Sequence, residues 1–391
     1  MGPSYLAGRL GAKSHPRLPL LRLAVAFLLL LSAGCTHLRY YRQAIGGELA
    51  LLGHSEPITK VLREPGTPAP LRKRLSLVLA VRHFARVTLH LDVGHSFRRY
   101  TPMPGPYIVW NVFAAQPLSV RLHTWCFPVA GCVPYRGYFS RARADAFAQR
   151  MAHRGYDVYV GGAPMYSTLG WLPDPVPGTI LYYPESTVAA LIFHELAHAL
   201  LYVPGDARFN ESFAVTVQNE SVQRWLQHEH QARAGHAYRS SAHANLRFGA
   251  MVEAVRQSLR RIYHQSASAE QRLQEKAALL ESWDPRLQQA SGIAAKLWNN
   301  ATLGALSTYT DEVPAFQCLL AQDHGHLRAF YRDAGKLAQQ PLSARNRALQ
   351  GLVLTRCVPQ AGSVPAANHR PAVPGPPAPG QRPHVPAAAG L

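Results

Sequence analysis

The stretch VAALIFHELAHAL, residues 188–200, is apolar except at His194, Glu195 and His198, and no other feature restricts the fold as strongly. Its composition predicts a helix that is apolar on nearly every side and therefore buried. Three ionisable groups inside such a helix are costly to desolvate unless something satisfies them. His194 and His198 stand four apart, so they share one helix face with Cβ atoms about 5–6 Å apart. Two neutral imidazoles at that spacing can ligate one metal ion, and the carboxylate of Glu195 beside them can take a proton from water activated there. With 19 His and 13 Glu in 391 residues, chance would supply roughly 0.03 such His-Glu-x-x-His matches. The cluster His228, Glu229 and His230 lacks this spacing, lies among polar residues and reads as a solvated helix end.

A third protein ligand is needed, and helix geometry selects it. If the first helix runs about five residues past His198, Pro204 and Gly205 end it and Asp206 caps the next. At 1.5 Å per residue the chain descends roughly 7 Å from His198 and climbs back by the same amount at Glu211. Glu220 lies about 13 Å beyond that level and on the opposite face, a distant second choice. Leu201 and Pro204 stand where a metzincin needs Gly and a third His, which excludes that class.

The first 34 residues form a separate unit. Arg9, Lys13, Arg17 and Arg22 precede the apolar run LAVAFLLLLSAG, which is shorter than the roughly 20 residues a membrane span needs and ends at Cys35. LSAGC resembles a bacterial lipobox, which implies that Cys35 becomes a lipid-bearing N-terminus outside the cytoplasm. Thr36 in place of Asp resembles the outer-membrane sorting pattern. Loss of the signal leaves 37 Lys and Arg against 22 Asp and Glu, a net charge of +15 that favours acidic envelope surfaces. The basic residues are dispersed and form no zinc-finger, RRM-like or basic-helix signature, which argues against specific nucleic-acid binding. Four further cysteines in an oxidising compartment suggest two disulfides. Cys126 and Cys132, six apart around Pro128 and Gly131, read as one closed loop, leaving Cys318 with Cys357.

Residues 35–184 read as a helical lead-in to about Leu91, then short strands and loops between Arg98 and Ser140, then a helix turned at Gly155 into the strand YDVYVGG. Residues 185–350 read as a helical subdomain, with helices near 186–203, 207–232, 244–263, 268–300 and 311–338. Residues 358–391 are a Pro/Ala-rich tail suited to neither helix nor sheet. The expected class is α+β, mostly helical.

HELAH followed by NESFA, preceded by TWCFPVAGC, YRGYF, YDVYVGG and YSTLGW and trailed by LWNNATLGALSTY, resembles the bacterial family of predicted zinc aminopeptidases, often described as lipoproteins. The likeness runs from about Cys35 to about residue 350. It implies a gluzincin-like fold in which a small sheet packs on the HExxH helix and a C-terminal helical subdomain supplies the glutamate ligand. It implies Zn²⁺ on His194, His198 and Glu211, Glu195 as general base, and a tyrosine for the oxyanion, for which Tyr309 and Tyr166 are the candidates. The implied substrate is peptide in the cell envelope, reached from a lipid anchor on the periplasmic side of the outer membrane. Some gluzincin aminopeptidases grip the α-amine with an edge-strand glutamate; here GGAPMYS, 161–167, carries no acid, and Asp157 or Glu220 would have to serve. The same residues suit a periplasmic endopeptidase, or a noncatalytic lipoprotein with a structural zinc.

Overall fold

The computed structural model describes residues 40–354 apart from 129, 170 and 294–296. Cys35 and Cys357, the export signal and the Pro/Ala-rich tail lie outside the described residues. The chain divides into two compact units, 1–49 and 50–391. In the first, the described residues 40–49 are helical. Everything below concerns the second. Among the described residues no helix is long and apolar enough to cross a membrane.

The second unit is α+β and mostly helical, as expected. It opens with strand β1 (Glu56–Pro57) and helices α1 (Ile58–Arg63) and α2 (Ala69–Val87). Strands β2 (Arg99–Thr101), β3 (Val109–Ala115), β4 (Trp125–Phe127), β5 (Gly131–Val133) and β6 (Arg136–Tyr138) follow, then α3 (Arg141–His153), β7 (Asp157–Ala163) and β8 (Val176–Pro177). They build three small sheets, ordered β1-β2-β8, β6-β3-β7 and β4-β5. Strand β7 is the edge strand of an antiparallel ladder that runs from Val109 opposite Ala163 to Ala115 opposite Asp157. Gly155, at φ 81°, makes the expected turn between α3 and β7.

The rest is helical: α4 (Glu185–Leu200), α5 (Ala207–His228), α6 (Ala232–Tyr263), α7 (Ala269–Ser291), α8 (Asn300–Ser307), α9 (Val313–Gln322), α10 (Leu327–Ala338) and α11 (Leu342–Leu354). The expected helix over 268–300 is two helices. Gly292 in the left-handed region ends α7, and the Asn299 side chain accepts from Thr302 N–H to start α8. The expected helix over 311–338 is also interrupted, by His324 and Gly325 at positive φ. Helix α6 begins twelve residues earlier than 244, where its first turns bury Gly235 and partly bury Ala234 and Tyr238, too few apolar positions among polar residues to show a stripe.

Helix α4 buries Val188, Ala189, Ile192, Phe193, Leu196 and Ala197, each at most 1% exposed. Phe193, Phe209, Phe213, Phe316 and Phe330 are fully buried at the centre of the main core, where α2, α5, α9 and α10 also meet. A second apolar cluster joins Val252, Val255 and Leu259 of α6 to Leu280 and Leu287 of α7.

The turn between α4 and α5 is tightly determined. Helix α4 stops at Leu200, two residues past His198 rather than five, and Leu201 is extended (φ −147°, ψ 119°). Two causes act together: the residue before Pro204 is biased away from the helix, and Asn210 captures the Val203 backbone. Val203 N–H donates to Asn210 Oδ1 and Asn210 Nδ2 donates to Val203 O, both at 2.8 Å. Asp206 caps α5 as expected, accepting from Phe209 N–H at 3.2 Å, while Arg345 donates to its other oxygen from Nε (2.9 Å) and Nη2 (2.7 Å).

The β4–β5 hairpin braces the same turn. Cys126 and Cys132 face one another in its register and form the expected disulfide. Gly205 N–H and the Tyr202 hydroxyl both donate to Ala130 O at 3.2 Å. A Cβ on Gly131 would lie 2.5 Å from Gly205 N, so only glycine permits this contact. Cys318 is buried on α9, and the expected pairing with Cys357 falls outside the described residues.

Arg345 is 4% exposed and Asp206 7%. Replacing Arg345 with Ala should therefore cost about 3–5 kcal/mol in urea unfolding, because the carboxylate is left charged and buried, and Asp206→Asn added to it should restore part of the loss. A change within ±0.5 kcal/mol would contradict this role of the pair.

Candidate metal centre

His194 and His198 project from one face of α4, with ring centroids 4.7 Å apart and planes at 85°. Their Nε2 atoms approach to 3.1 Å. Glu211, one turn inside α5, brings Oε2 to 3.2 Å from His194 Nε2 and 3.6 Å from His198 Nε2. These side chains are only 9–12% exposed. Three donor atoms within 4.8 Å of one another make this the His/Cys/Asp/Glu group, among the described residues, that could hold a metal ion. Tetrahedral bonds of about 2.0–2.1 Å require nitrogens roughly 3.3 Å apart, so the donor set fits an ion with almost no rearrangement. The expected triad is thus assembled, and Glu220 is not part of it: Arg224 Nε donates to it at 2.7 Å.

The histidines are held from behind unequally. Gln218 Oε1 lies 3.1 Å from His194 Nδ1, and Gln218 Nε2 donates to the Tyr238 hydroxyl, which donates in turn to Asn219 Oδ1, each at 3.1 Å. As an acceptor, Gln218 Oε1 favours a proton on His194 Nδ1, the arrangement in which Nε2 would face a metal ion. His198 Nδ1 is buried without a hydrogen-bond partner, and its ring lies edge-on to Tyr202, 6.3 Å between centroids. Gln218 and Tyr238 escaped the reading of the sequence. The available signal was spacing: Gln218 is seven residues after Glu211, two turns along the same face.

The electrostatics separate the two glutamates. Burial works against the charge on Glu211, but the His198 charge and hydrogen bonds from both histidines prevail and hold its carboxyl down at about 2. Burial pushes Glu195 up instead; the histidines offset this in part, and Glu211 and Asp174 reinforce it. For His194, burial opposes protonation, yet hydrogen bonding and attraction to Glu211 raise the imidazole. The same surroundings thus favour the charged form of Glu211 and the protonated form of Glu195. Asp174, 3% exposed, is tied to the segment after β7 through Ser167 Oγ (2.8 Å), Thr168 Oγ1 (2.7 Å) and Thr168 N–H (3.0 Å).

Tyr309 comes to this site. The Glu211 charge, then burial, raises its hydroxyl well above the ordinary value, and Glu195, Tyr135 and Tyr159 add to the effect. The residue keeps 37% of its surface exposed. The turn that carries it is pinned: Glu312 N–H donates to Ser212 Oγ at 3.1 Å, Asp311 pairs with Arg256 at 3.2 Å, and a Cβ on Gly249 would lie 2.7 Å from Thr310. Tyr166 is placed differently, its ring packed edge-on against Phe139 and its hydroxyl buried without a hydrogen-bond partner. Tyr202, which spacing did not single out, is raised by burial and by Glu211. The acids considered for gripping an α-amine are engaged elsewhere. Lys276 Nζ donates to Asp157 at 2.6 Å and Asn300 N–H at 3.0 Å, while Glu220 pairs with Arg224.

The fold and site define an α+β chain with a buried His-His-Glu group able to take a metal and a second glutamate beside it. The family model described as "Putative aminopeptidase" matches residues 39–349. The chain belongs to that family, whose description points to a hydrolase of the peptidase kind. No curated protein and no protein of solved structure matches the chain at a significant level.

Two substitutions check the geometry. Glu211→Ala should abolish stoichiometric metal binding. Gln218→Ala should weaken it about 10–100-fold, the range typical of outer-shell partners, as read by competition with a chromophoric chelator; unchanged affinity in either variant would contradict the assignment.

Proposed function

We propose that the protein is a zinc-dependent peptidase, an aminopeptidase by family, that hydrolyses peptides in the bacterial cell envelope from a lipid anchor at Cys35. The observation that carries the reading is the convergence of His194 Nε2, His198 Nε2 and Glu211 Oε2 within 3.6 Å of one another beside Glu195. Two imidazoles and one carboxylate form a donor set suited to catalytic zinc, with a fourth position left for water or substrate. Zinc held there supplies Lewis acidity, polarising a peptide carbonyl and making water nucleophilic near neutral pH.

The chain's own residues supply the rest. Glu195, adjacent to a ligand and raised by burial, takes the proton of the attacking water and delivers it to the leaving amine. Tyr309, kept protonated by the negative charge of Glu211 and by burial, donates its hydroxyl hydrogen to the carbonyl oxygen as charge develops there. Gln218 keeps His194 in register throughout. Export and anchoring rest on the charged, apolar leader and the LSAGC pattern at Cys35.

One observation favours a second reading, an endopeptidase with the same site. Asp157 and Glu220 are already paired with Lys276 and Arg224, and an exopeptidase needs a carboxylate for the free α-amine.

Mass spectrometry of matched free and N-acetylated peptides, incubated with the zinc-loaded chain, separates these readings. Stepwise N-terminal trimming of free peptides alone is the expected result, and internal cuts in both sets would establish the endopeptidase. Glu195→Gln should lower turnover by at least about 10²-fold with metal content unchanged. Retained turnover in that variant would sink the proposed mechanism.

A further inference from the structure

A cavity of about 270 Å³ opens between α5, α6, the end of α7 and the segment that carries Tyr309. Three of its features point the same way. The first is position. Glu211, Val215 and Gln218 stand at i, i+4 and i+7 on α5 and so follow one another along a single helix face. The first belongs to the donor triad and the other two line the cavity. Gln218 lines it while holding His194 at 3.1 Å, and Tyr309 lines it while its hydroxyl senses the Glu211 charge. Gln218 and Tyr309 therefore link the cavity to the donor triad.

The second feature is chemistry. Val215, Leu246, Phe248, Val252 and Leu306 give apolar walls, with Val252 fully buried. Among the described residues no charged side chain lines it, although the chain carries 41 Lys and Arg and 22 Asp and Glu. Gln218, Asn219, Asn245, Ser291 and Thr310 add neutral polar groups to the lining, so a charged group entering the space loses its hydration with no opposite charge to replace it, whereas an apolar group gains along the apolar walls. The third feature is size. At about 270 Å³ the space falls just below the range of about 300–1,000 Å³ found for whole small-molecule ligands, which suits one side chain of a larger molecule. The neighbouring cavity of about 410 Å³ offers a contrast. It shares Leu246, Gly249 and Thr310 but is also lined by Arg208, Glu253, Arg260, Asp311 and Glu312, several of them paired with one another.

We propose that this cavity receives an uncharged apolar side chain of the peptide, next to the bond to be cut, and makes the enzyme selective for substrates with leucine- or phenylalanine-like residues there. The proposal rests on the peptidase reading above. It assigns Val215, Leu246, Phe248, Val252 and Leu306 as specificity-determining residues, with Gln218 and Tyr309 at the mouth.

The test has two arms, so that failure of this proposal and failure of the peptidase reading give different results. In the first, kcat/KM is measured for hexapeptides that differ only at one position flanking the cut, occupied by Leu, Phe, Ala, Asp or Lys. The native protein should prefer Leu or Phe over Ala by at least about 10-fold, the low end of what a few methylenes achieve in an apolar pocket, and over Asp and Lys by more. Val215→Phe and, independently, Leu246→Phe should fill the space and bring the Leu-to-Ala ratio to within about 3-fold of unity, with zinc content as in the native protein. Two fillers on different helices guard against one that fails to fold. In the second arm, binding of leucinamide, phenylalaninamide and aspartic acid α-amide is measured by calorimetry, with metal removed and with metal restored. Leucinamide and phenylalaninamide should bind in preference to the aspartate derivative, and the preference should vanish in both filled variants. Selective binding without cleavage of any peptide would uphold the pocket and overturn the peptidase reading. Cleavage with no side-chain preference, a preference unchanged in both filled variants, or neither cleavage nor selective binding would overturn the pocket.

Discussion

Two imidazole nitrogens and a carboxylate oxygen held within 3.6 Å of one another, each side chain about nine-tenths buried, form an arrangement that a folded chain tolerates only with a reason. All three atoms can donate a lone pair to a single ion. The surrounding helices are committed to this geometry. Helix α4 is apolar on almost every face, so its two histidines and Glu195 have no route to bulk solvent by rotation of the helix. Helix α5 is fixed along its axis by the Asp206 cap, by Arg345 and by the Asn210 clamp on Val203. With both helices fixed, the height of Glu211 relative to His194 follows. Coordination of a cation would resolve the conflict by giving the three donor atoms a common partner.

The brace outside the helices serves the same end. The Cys126–Cys132 hairpin delivers Ala130 O to the turn, where it accepts from both Gly205 N–H and the Tyr202 hydroxyl. Tyr202 is also the ring against His198. A disulfide-closed loop thus supports the histidine whose Nδ1 finds no hydrogen-bond partner, in place of the side-chain relay that Gln218 provides for His194. On the far side, Ser212 follows Glu211 in α5 and accepts from Glu312 N–H, so the helix that supplies the carboxylate also seats the turn bearing Tyr309. Donor, base and hydroxyl group depend on a small number of shared backbone contacts.

Much of this was legible in the sequence where one local rule decides the outcome. The His194 and His198 spacing and the Asp206 cap each follow from helix geometry, and Glu211 was reached by the same reasoning although the assumed descent past His198 was three residues too long. The Cys126–Cys132 loop followed from short separation around turn residues. The end of α4 was misplaced by three residues because Leu201, Tyr202 and Val203 have no strong aversion to helix, and what extends them is Asn210, a tertiary partner. The break at Gly292 competes with a helical pattern on both sides, and only the Asn299 cap makes it decisive. Gln218 was missed because a glutamine in a polar helix carries no chemical signature until the ring it touches is known. The position of Tyr309 beside Glu211, 98 residues earlier, depends on packing between distant elements, which no local pattern encodes.

The central claim is that these donor atoms hold zinc and leave room for catalysis. Zinc-edge X-ray absorption of the purified full chain tests it without reference to any substrate. The account predicts one zinc per chain in a shell of two imidazole nitrogens and light oxygen donors at about 2.0–2.2 Å. A sulfur shell near about 2.3 Å, or a folded protein that retains no zinc when the metal is supplied, would contradict it.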